Sequence, residues 1–343
     1  MSTTTRLRLT NFTAFASFDH SFSPGVTVIT GANGTGKTHL LKVIYAACAI
    51  TSGEGRDFSF AQKIVSVFRP FENRIGRLAR RQAHSVTSSV SIDTADGRRL
   101  AYKFSNHTKE VVGSSSPQQV AWKRRVITAA YIPVKEMLAH APGFISTNAR
   151  RELAFEDVYS DILKLAYLPK LMGKKSIEQT QLLEKLQKTI SGKVTLKGQH
   201  FFLKNGQGEL EFSLLAEGIR KLSLVWLLIQ NGTLLNGSIL LWDEPEANLN
   251  PLLMEQLVEV ILQLQRNGVQ VILTTHNNVL LRYFELNRQK ADSLEFLNLR
   301  RDEKKGVIFE SSKSLSKLAG ISIQQAIDNL YDVEIKSAIN LGL

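Results

Sequence analysis

The chain has 343 residues, with 43 Lys plus Arg against 31 Asp plus Glu and a formal net charge of +12. At about 100 to 200 residues per domain this is one large domain or two modest ones, and 43% hydrophobic with 22% charged residues excludes a disordered, collagen-like or coiled-coil chain. The single cysteine, Cys48, excludes an internal disulfide and a cysteine-rich zinc site, which fits a reducing, cytoplasmic setting.

The polar start carries Arg6 and Arg8 with no apolar run behind them, and no later stretch approaches about 18 uninterrupted apolar residues. Neither a signal peptide nor membrane association is expected. Leu7, Leu9 and Phe12, then Phe15, Phe18 and Phe22, alternate with polar residues and predict short strands leading into a buried one, Val26 to Thr30. A glycine-rich segment, Gly31 to Gly36, precedes a helix over Lys37 to Ile50 that is apolar on most sides, with Cys48 as a small core residue. Residues 54 to 125 read as an insertion: a basic helix carrying Arg69, Arg74, Arg77, Arg80 and Arg81 on one face, then a hairpin around Ala95-Asp96-Gly97. Val126 to Ile132 reads as a strand, Glu152 to Ile190 as mostly helical with an exposed turn at Lys170 to Lys175, and Phe201 to Phe212 as a second hairpin. From Leu214 the pattern is regular: a helix to Ile229, a strand Ser238 to Trp242, a helix Pro251 to Arg266 opened by Asn250, and a strand Val269 to Thr275. A hairpin over Leu294 to Phe309, turning at Glu303-Lys304-Lys305-Gly306, and amphipathic helices close the chain. Strand, helix and strand in succession argue for a parallel sheet with helices packed on it, an α/β fold.

Gly31-Ala32-Asn33-Gly34-Thr35-Gly36-Lys37-Thr38 matches G-x-x-x-x-G-K-[ST] and sits after a buried strand, opening a helix. Its glycines let backbone N–H groups turn toward phosphate oxygens, and the helix start adds partial positive charge. Lys37 is placed to reach the β- and γ-phosphates of ATP, and Thr38 to hold Mg²⁺. The apolar strand Ile239 to Trp242 ends in Asp243 and Glu244, which suits a metal ligand followed by the base that polarises the attacking water. Thr274-Thr275-His276 ends the next strand and puts His276 within reach of a γ-phosphate. The arginine face, with Phe68 and Phe71 nearby, reads either as a track for nucleic-acid phosphates or as a solvated basic surface.

The order of the P-loop, Asp243-Glu244-Pro245-Glu246, Ala247-Asn248-Leu249-Asn250-Pro251 and Thr275-His276 resembles the Walker A, Walker B, D-loop and H-switch of the ABC-type ATPases. More narrowly it is similar to the prokaryotic AAA group related to OLD-family proteins, RecF and SMC heads. The similarity runs from about residue 5 to residue 285. It implies one ABC-type P-loop domain over 1–343 with a mixed sheet and helices on both sides, 54–125 being an inserted lid and 138–213 an arm leading to the signature loop. That loop matches Leu214-Leu215-Ala216-Glu217-Gly218-Ile219-Arg220-Lys221, where Ala216 replaces the usual serine and Glu217 a glycine. The resemblance implies that Gly218 contacts the ATP held by an opposite subunit, with Arg220 or Lys221 supplying attraction. Glu136 stands in the place of the Q-loop glutamine. Phe12 or Phe15 offers a ring for stacking on adenine, although core packing suits both better.

These readings converge on Mg-ATP binding and hydrolysis by a head-to-tail homodimer. Its nucleotide state would be read by a separate nuclease or effector in phage defence or DNA maintenance, since the stretch after His276 lacks the acidic cluster of a Toprim nuclease. A non-hydrolytic nucleotide-sensing scaffold is favoured by the altered signature and opposed by Glu244. A transporter ATPase is opposed by the basic insertion.

Overall fold

In the computed structural model the described residues are 4–111, 116–150, 155–303, 305–318, 320, 329–331, 333–335 and 337. The beginning of the stretch expected from Glu152, Lys304 in the last hairpin turn, and most of the closing helices lie outside them. The chain starts with β1 (Thr4–Phe12), β2 (Phe15–Ser21), β3 (Val26–Gly31) and α1 (Lys37–Ala49), then α2 (Phe60–Phe68), β4 (Thr87–Thr94), β5 (Arg99–Ser105), α3 (Pro117–Lys123) and β6 (Ala129–Ile132). A middle section holds α4 (Phe144–Ala149), α5 (Asp157–Ala166), α6 (Ile177–Thr189), β7 (Lys193–Lys197), β8 (His200–Asn205) and β9 (Gly208–Glu211). The last section is α7 (Glu217–Gln230), β10 (Ile239–Asp243), α8 (Met254–Arg266), β11 (Gln270–Thr274), α9 (Asn278–Asn287), β12 (Leu294–Asp302) and β13 (Gly306–Ser312).

The central sheet has six strands in the order β13-β12-β3-β11-β10-β6. All neighbours run parallel except β13, which returns antiparallel on β12. Continuous apolar runs fit strands buried on both faces, and successive side chains here do divide between two cores. Val28, Leu240, Trp242, Val271 and Leu273 face α7, α8 and α9. Ile29, Leu241, Ile272 and Leu297 face α1 and a second, four-stranded antiparallel sheet ordered β2-β1-β4-β5. Caught between two sheets, α1 buries Leu40 through Cys48 without interruption; each such Leu or Ile contributes about 1.5 to 3 kcal/mol of transfer free energy. That position explains why its sequence lacks a polar face.

Two expectations for the insertion need correction. The hairpin β4–β5 does not stand over the molecule as a lid, because β4 pairs along β1, with Leu9 opposite Val90 and Leu7 opposite Ile92, and so completes the antiparallel sheet. The basic segment is not a helix either. After α2, Arg69 adopts a left-handed φ of 44° as C-cap and Pro70 follows, a combination that stops a helix; Phe71–Asn73 and Ile75–Leu78 are single 3₁₀ turns. The expected second hairpin gains a partner in β7, making a three-stranded sheet β7-β8-β9. Among the described residues no helix is long and apolar enough to cross a membrane.

Candidate functional site

The C-terminal ends of β3, β10 and β11 lie side by side, so the glycine loop, Asp243-Glu244 and Thr275-His276 meet at one edge of the sheet. Gly31 has φ +145° and passes β12 so closely that a Cβ there would stand 2.3 Å from the Leu299 carbonyl oxygen; at Gly36, φ +90°, a Cβ would meet the Phe15 ring at 2.7 Å. Only glycine fits either place. Thr35 Oγ1 donates to the Ala32 carbonyl at 2.9 Å, pinning the loop, while Ala32, Asn33 and Gly34 face outward. The first turn of α1 carries no side-chain cap; the His39 and Leu40 N–H groups donate to the Gly36 carbonyl, and those ahead of them are placed for an anion.

Lys37 lies over its own loop, its Nζ donating to the carbonyls of Gly31 at 2.8 Å and Ala32 at 3.1 Å. Burial pushes its ammonium down to about 8, against the opposing pull of Glu244, Asp243 and Glu246. Thr38 Oγ1 donates to Asp243 Oδ1 at 3.1 Å. The same oxygen accepts from Thr274 Oγ1 at 2.5 Å, and Oδ2 accepts from the buried Tyr131 hydroxyl at 3.2 Å. Burial, with Asp243 beside it, keeps the Tyr131 phenol protonated, so it serves Asp243 as a donor. Hydroxyl and carboxylate oxygens side by side are the hard donors that Mg²⁺ takes, with water and phosphate oxygens completing its shell. Among the described residues no three His, Cys, Asp or Glu cluster to hold a metal alone.

Glu244 sits at φ 47°, a strained backbone for a residue with a Cβ and of the kind found at reactive sites. Its Oε1 is 3.3 Å from His276 Nε2. The imidazole is lowered from its ordinary value by burial and by Lys37, which favours a neutral ring donating one N–H to the carboxylate. Glu246, to which motif spacing assigns no role, accepts from Thr275 Oγ1 at 2.6 Å and from the His276 N–H at 3.1 Å through one oxygen. It thereby fixes the backbone that presents His276. Tyr131 and Thr274 were likewise missed, being polar atoms inside runs that read as apolar strand.

Other expected residues lie elsewhere. The Glu136 side chain is fully enclosed; it accepts from the Leu138 N–H and, at 2.5 Å, from Arg220 Nε, so it ties the exit of β6 to α7 and does not join the Asp243 cluster. Arg220 also donates to the Leu215 carbonyl at 2.5 Å, and Lys221, 1% exposed, donates to the Ala247 carbonyl at 2.7 Å. Both cations are therefore spent within this chain, contrary to the expectation that they face a partner's phosphate. Gly218 is buried against the D-loop, where a Cβ would stand 2.7 Å from Leu249 Cδ1 and 3.1 Å from Leu249 Cα. Phe12 and Phe15 are 0% exposed and belong to the core. The arginines do not form one stripe. Arg69 donates to the Phe155 carbonyl at 2.6 Å and Arg74 pairs with Glu72, whereas Arg77, Arg80 and Arg81 line a different cavity near the glycine loop.

Residues 138–282 match the family described as AAA domain, putative AbiEii toxin, Type IV TA system. The solved SMC head bound to the C-winged helix domain of ScpA overlies 92% of this chain and 98% of that one at a TM-score of 0.52 and 15% identity. The chain thus has the ABC-type P-loop fold seen in the SMC head. The RecF DNA replication and repair protein of Klebsiella pneumoniae subsp. pneumoniae is 38% identical over 109 residues, and that of Shigella dysenteriae serotype 1 is 37% identical over 109 residues. Each match covers 28% of this chain and 29% of the relative. The chain thus spans under a third of the length of the curated relatives it matches. In this ABC-type fold the mixed sheet, with helices on both faces, is the arrangement the motif order implied.

Proposed function

We propose that this chain binds Mg-ATP in the glycine loop and hydrolyses it. The observation that carries the reading is the convergence of Lys37, the Thr38–Asp243 contact and the Glu244–His276 pair at one sheet edge. Gly31 to Thr38 would surround the phosphates, Lys37 would neutralise them, and Thr38 with Asp243 would hold Mg²⁺. Bound there, the ion would screen phosphate charge and polarise the terminal phosphoryl group. Glu244 takes a proton from water and His276 orients that carboxylate. ATP turnover should require Mg²⁺: chelation with EDTA is expected to abolish phosphate release, restored by added Mg²⁺. Equal release in EDTA would remove Thr38 and Asp243 from the role of metal ligands.

The proposal extends to a head-to-tail homodimer in which the Gly218 loop of one protomer closes over the nucleotide of the other, the whole chain, 1–343, acting as one ATPase unit with the 54–125 insertion and the 138–213 arm. Leu214, 68% exposed just before α7, and Leu252, 81% exposed just after the D-loop, support it as large apolar side chains beside the two loops such a dimer would cover. Because Gly218 packs on Leu249 in its own chain, a bulky residue there perturbs the protomer itself, and Leu214→Asp is the cleaner probe. That variant is expected to keep its thermal stability and ATP affinity while losing ATP-dependent self-association in sedimentation velocity. Undiminished association would remove this surface from the interface. The AbiEii and RecF likenesses support work in phage defence or DNA maintenance, as a switch read by a separate nuclease or effector.

A further inference from the structure

Leu168, Leu171, Met172 and Ile177, in the turn that joins α5 to α6, are large apolar residues and all exposed, Met172 to 89%. Three lysines stand among them. Lys164, inside α5, pairs with Glu54, whereas Lys170, Lys174 and Lys175 pair with no carboxylate among the described residues.

The turn is held in place at both ends and in the middle. α5 stops at Ala166, Pro169 keeps it from resuming, and a capping box between Ser176 and Gln179 opens α6. Between them the Leu171 N–H donates to the Gln230 carbonyl at 3.0 Å, and Asn231 Nδ2 donates to the Leu165 carbonyl at 2.7 Å. Leu171 Cδ2 stands 3.0 Å from where a Cβ of Gly232 would lie. The turn is therefore fastened to the C-terminal end of α7. Apolar side chains offered on a fixed backbone lose little ordering entropy when covered, and a cluster of them marks a contact surface.

A complementary stretch lies near the end of the same chain. Leu330, Tyr331, Val333 and Ile335 are helical and 56 to 62% exposed. Around them the sequence places Asp328, Asp332 and Glu334 against Lys336, so this stretch is apolar and acidic where the turn is apolar and basic. Within one chain both stay exposed, and what covers them must come from another. Two turns face to face would set lysine against lysine, and a net charge of +12 adds to that repulsion. Turn against closing stretch is the pairing that satisfies both.

We infer that the α5–α6 turn of one copy docks residues 328–336 of a second copy, apolar side chains meeting at the centre and lysines facing carboxylates around them. The contact is heterologous: each copy offers its turn to one neighbour and its closing stretch to another, which builds a ring or an open chain of copies. It needs no nucleotide, and it is separate from the Leu214 surface and from the glycine loop.

The test is sedimentation velocity of the full chain without nucleotide, over a range of protein concentrations. The parent is expected to form species larger than a monomer, in a proportion that rises with concentration and falls as salt screens the charges. Lys170→Glu/Lys174→Glu and Asp332→Lys/Glu334→Lys should each weaken association at least about tenfold. Melting temperatures should not change, since Lys170, Lys174 and Glu334 are exposed. An equimolar mixture of the two variants should associate again, because the reversed turn of one meets the reversed closing stretch of the other; a damaged fold could not give that recovery. A parent that stays monomeric, a variant that associates as the parent does, or a mixture that stays apart would each overturn the inference. So would a monomeric parent that pellets with phosphatidylglycerol vesicles and loses that binding in Lys170→Glu/Lys174→Glu, which would make the turn a lipid-facing surface. Because ATP is absent throughout, none of these outcomes bears on the nucleotide reading of the glycine loop.

Discussion

Lys37→Ala is expected to lose tight ATP binding, and any residual turnover should be lower by about 10² to 10³. No other lysine lies in the glycine loop, and its ammonium stands over the loop with Glu244, Asp243 and Glu246 as the carboxylates acting on it. Without it a phosphate chain would face those carboxylates with no lysine ammonium to offset their charge. Its pKa gives a second signature. Because burial lowers the folded-state value to about 8, the protonated form that attracts phosphate is depleted as pH rises through that value. ATP association to the parent should therefore weaken between pH 7 and pH 9.5, and the alanine variant should show no such decline. Isothermal titration at both pH values reads the two effects together. A variant with parental affinity, or one that reproduces the parental pH dependence, would take Lys37 out of the site.

Glu244→Gln is expected to bind ATP normally and to slow its hydrolysis by about 10² to 10⁴, the range a general base supplies. The amide keeps the size of the side chain and an oxygen able to accept from His276 Nε2 at the present 3.3 Å, but it cannot take a proton from water. Its backbone, at φ 47°, strains glutamine as much as glutamate, so stability should not change. With hydrolysis blocked, the ATP-bound form should accumulate as the associated species in sedimentation velocity. Single-turnover measurement separates a slowed chemical step from slowed product release; turnover at the parental rate would mean that another group activates the water.

The motifs that spacing could expose were those in which a short run of residues is itself the device. Gly31 to Thr38 was legible because glycine is required wherever backbone must approach backbone, and Asp243-Glu244 because an apolar run ends in charge at a strand terminus. The two-sided burial of α1 was legible in its lack of a polar face. What stayed hidden was contact between distant segments. Nothing in Tyr131 or Thr274 signals that both donate to Asp243, and nothing in Glu246 signals that its oxygen grips the peptide ahead of His276. Glu136 and Arg220 were each assigned outward roles because their mutual pairing spans 84 positions. The arginines after α2 were misplaced for a local reason, the left-handed Arg69 followed by Pro70, which turned an assumed helical face into a loop divided between two surroundings.

The start of α7 is joined to the D-loop by three contacts: Gly218 against Leu249, Lys221 to the Ala247 carbonyl at 2.7 Å, and Asn248 Nδ2 to Glu217 at 2.9 Å. Residues 214–221 and 247–250 therefore behave as a single mechanical piece, and sequence change in one is conditional on the other. A side chain at 218 is tolerable only if position 249 shrinks or its backbone withdraws, and a shorter residue at 221 leaves the Ala247 carbonyl without its donor. Replacement within these two segments is then coupled, so that a change at 218 or 221 is tolerated only with a compensating one at 247 to 249.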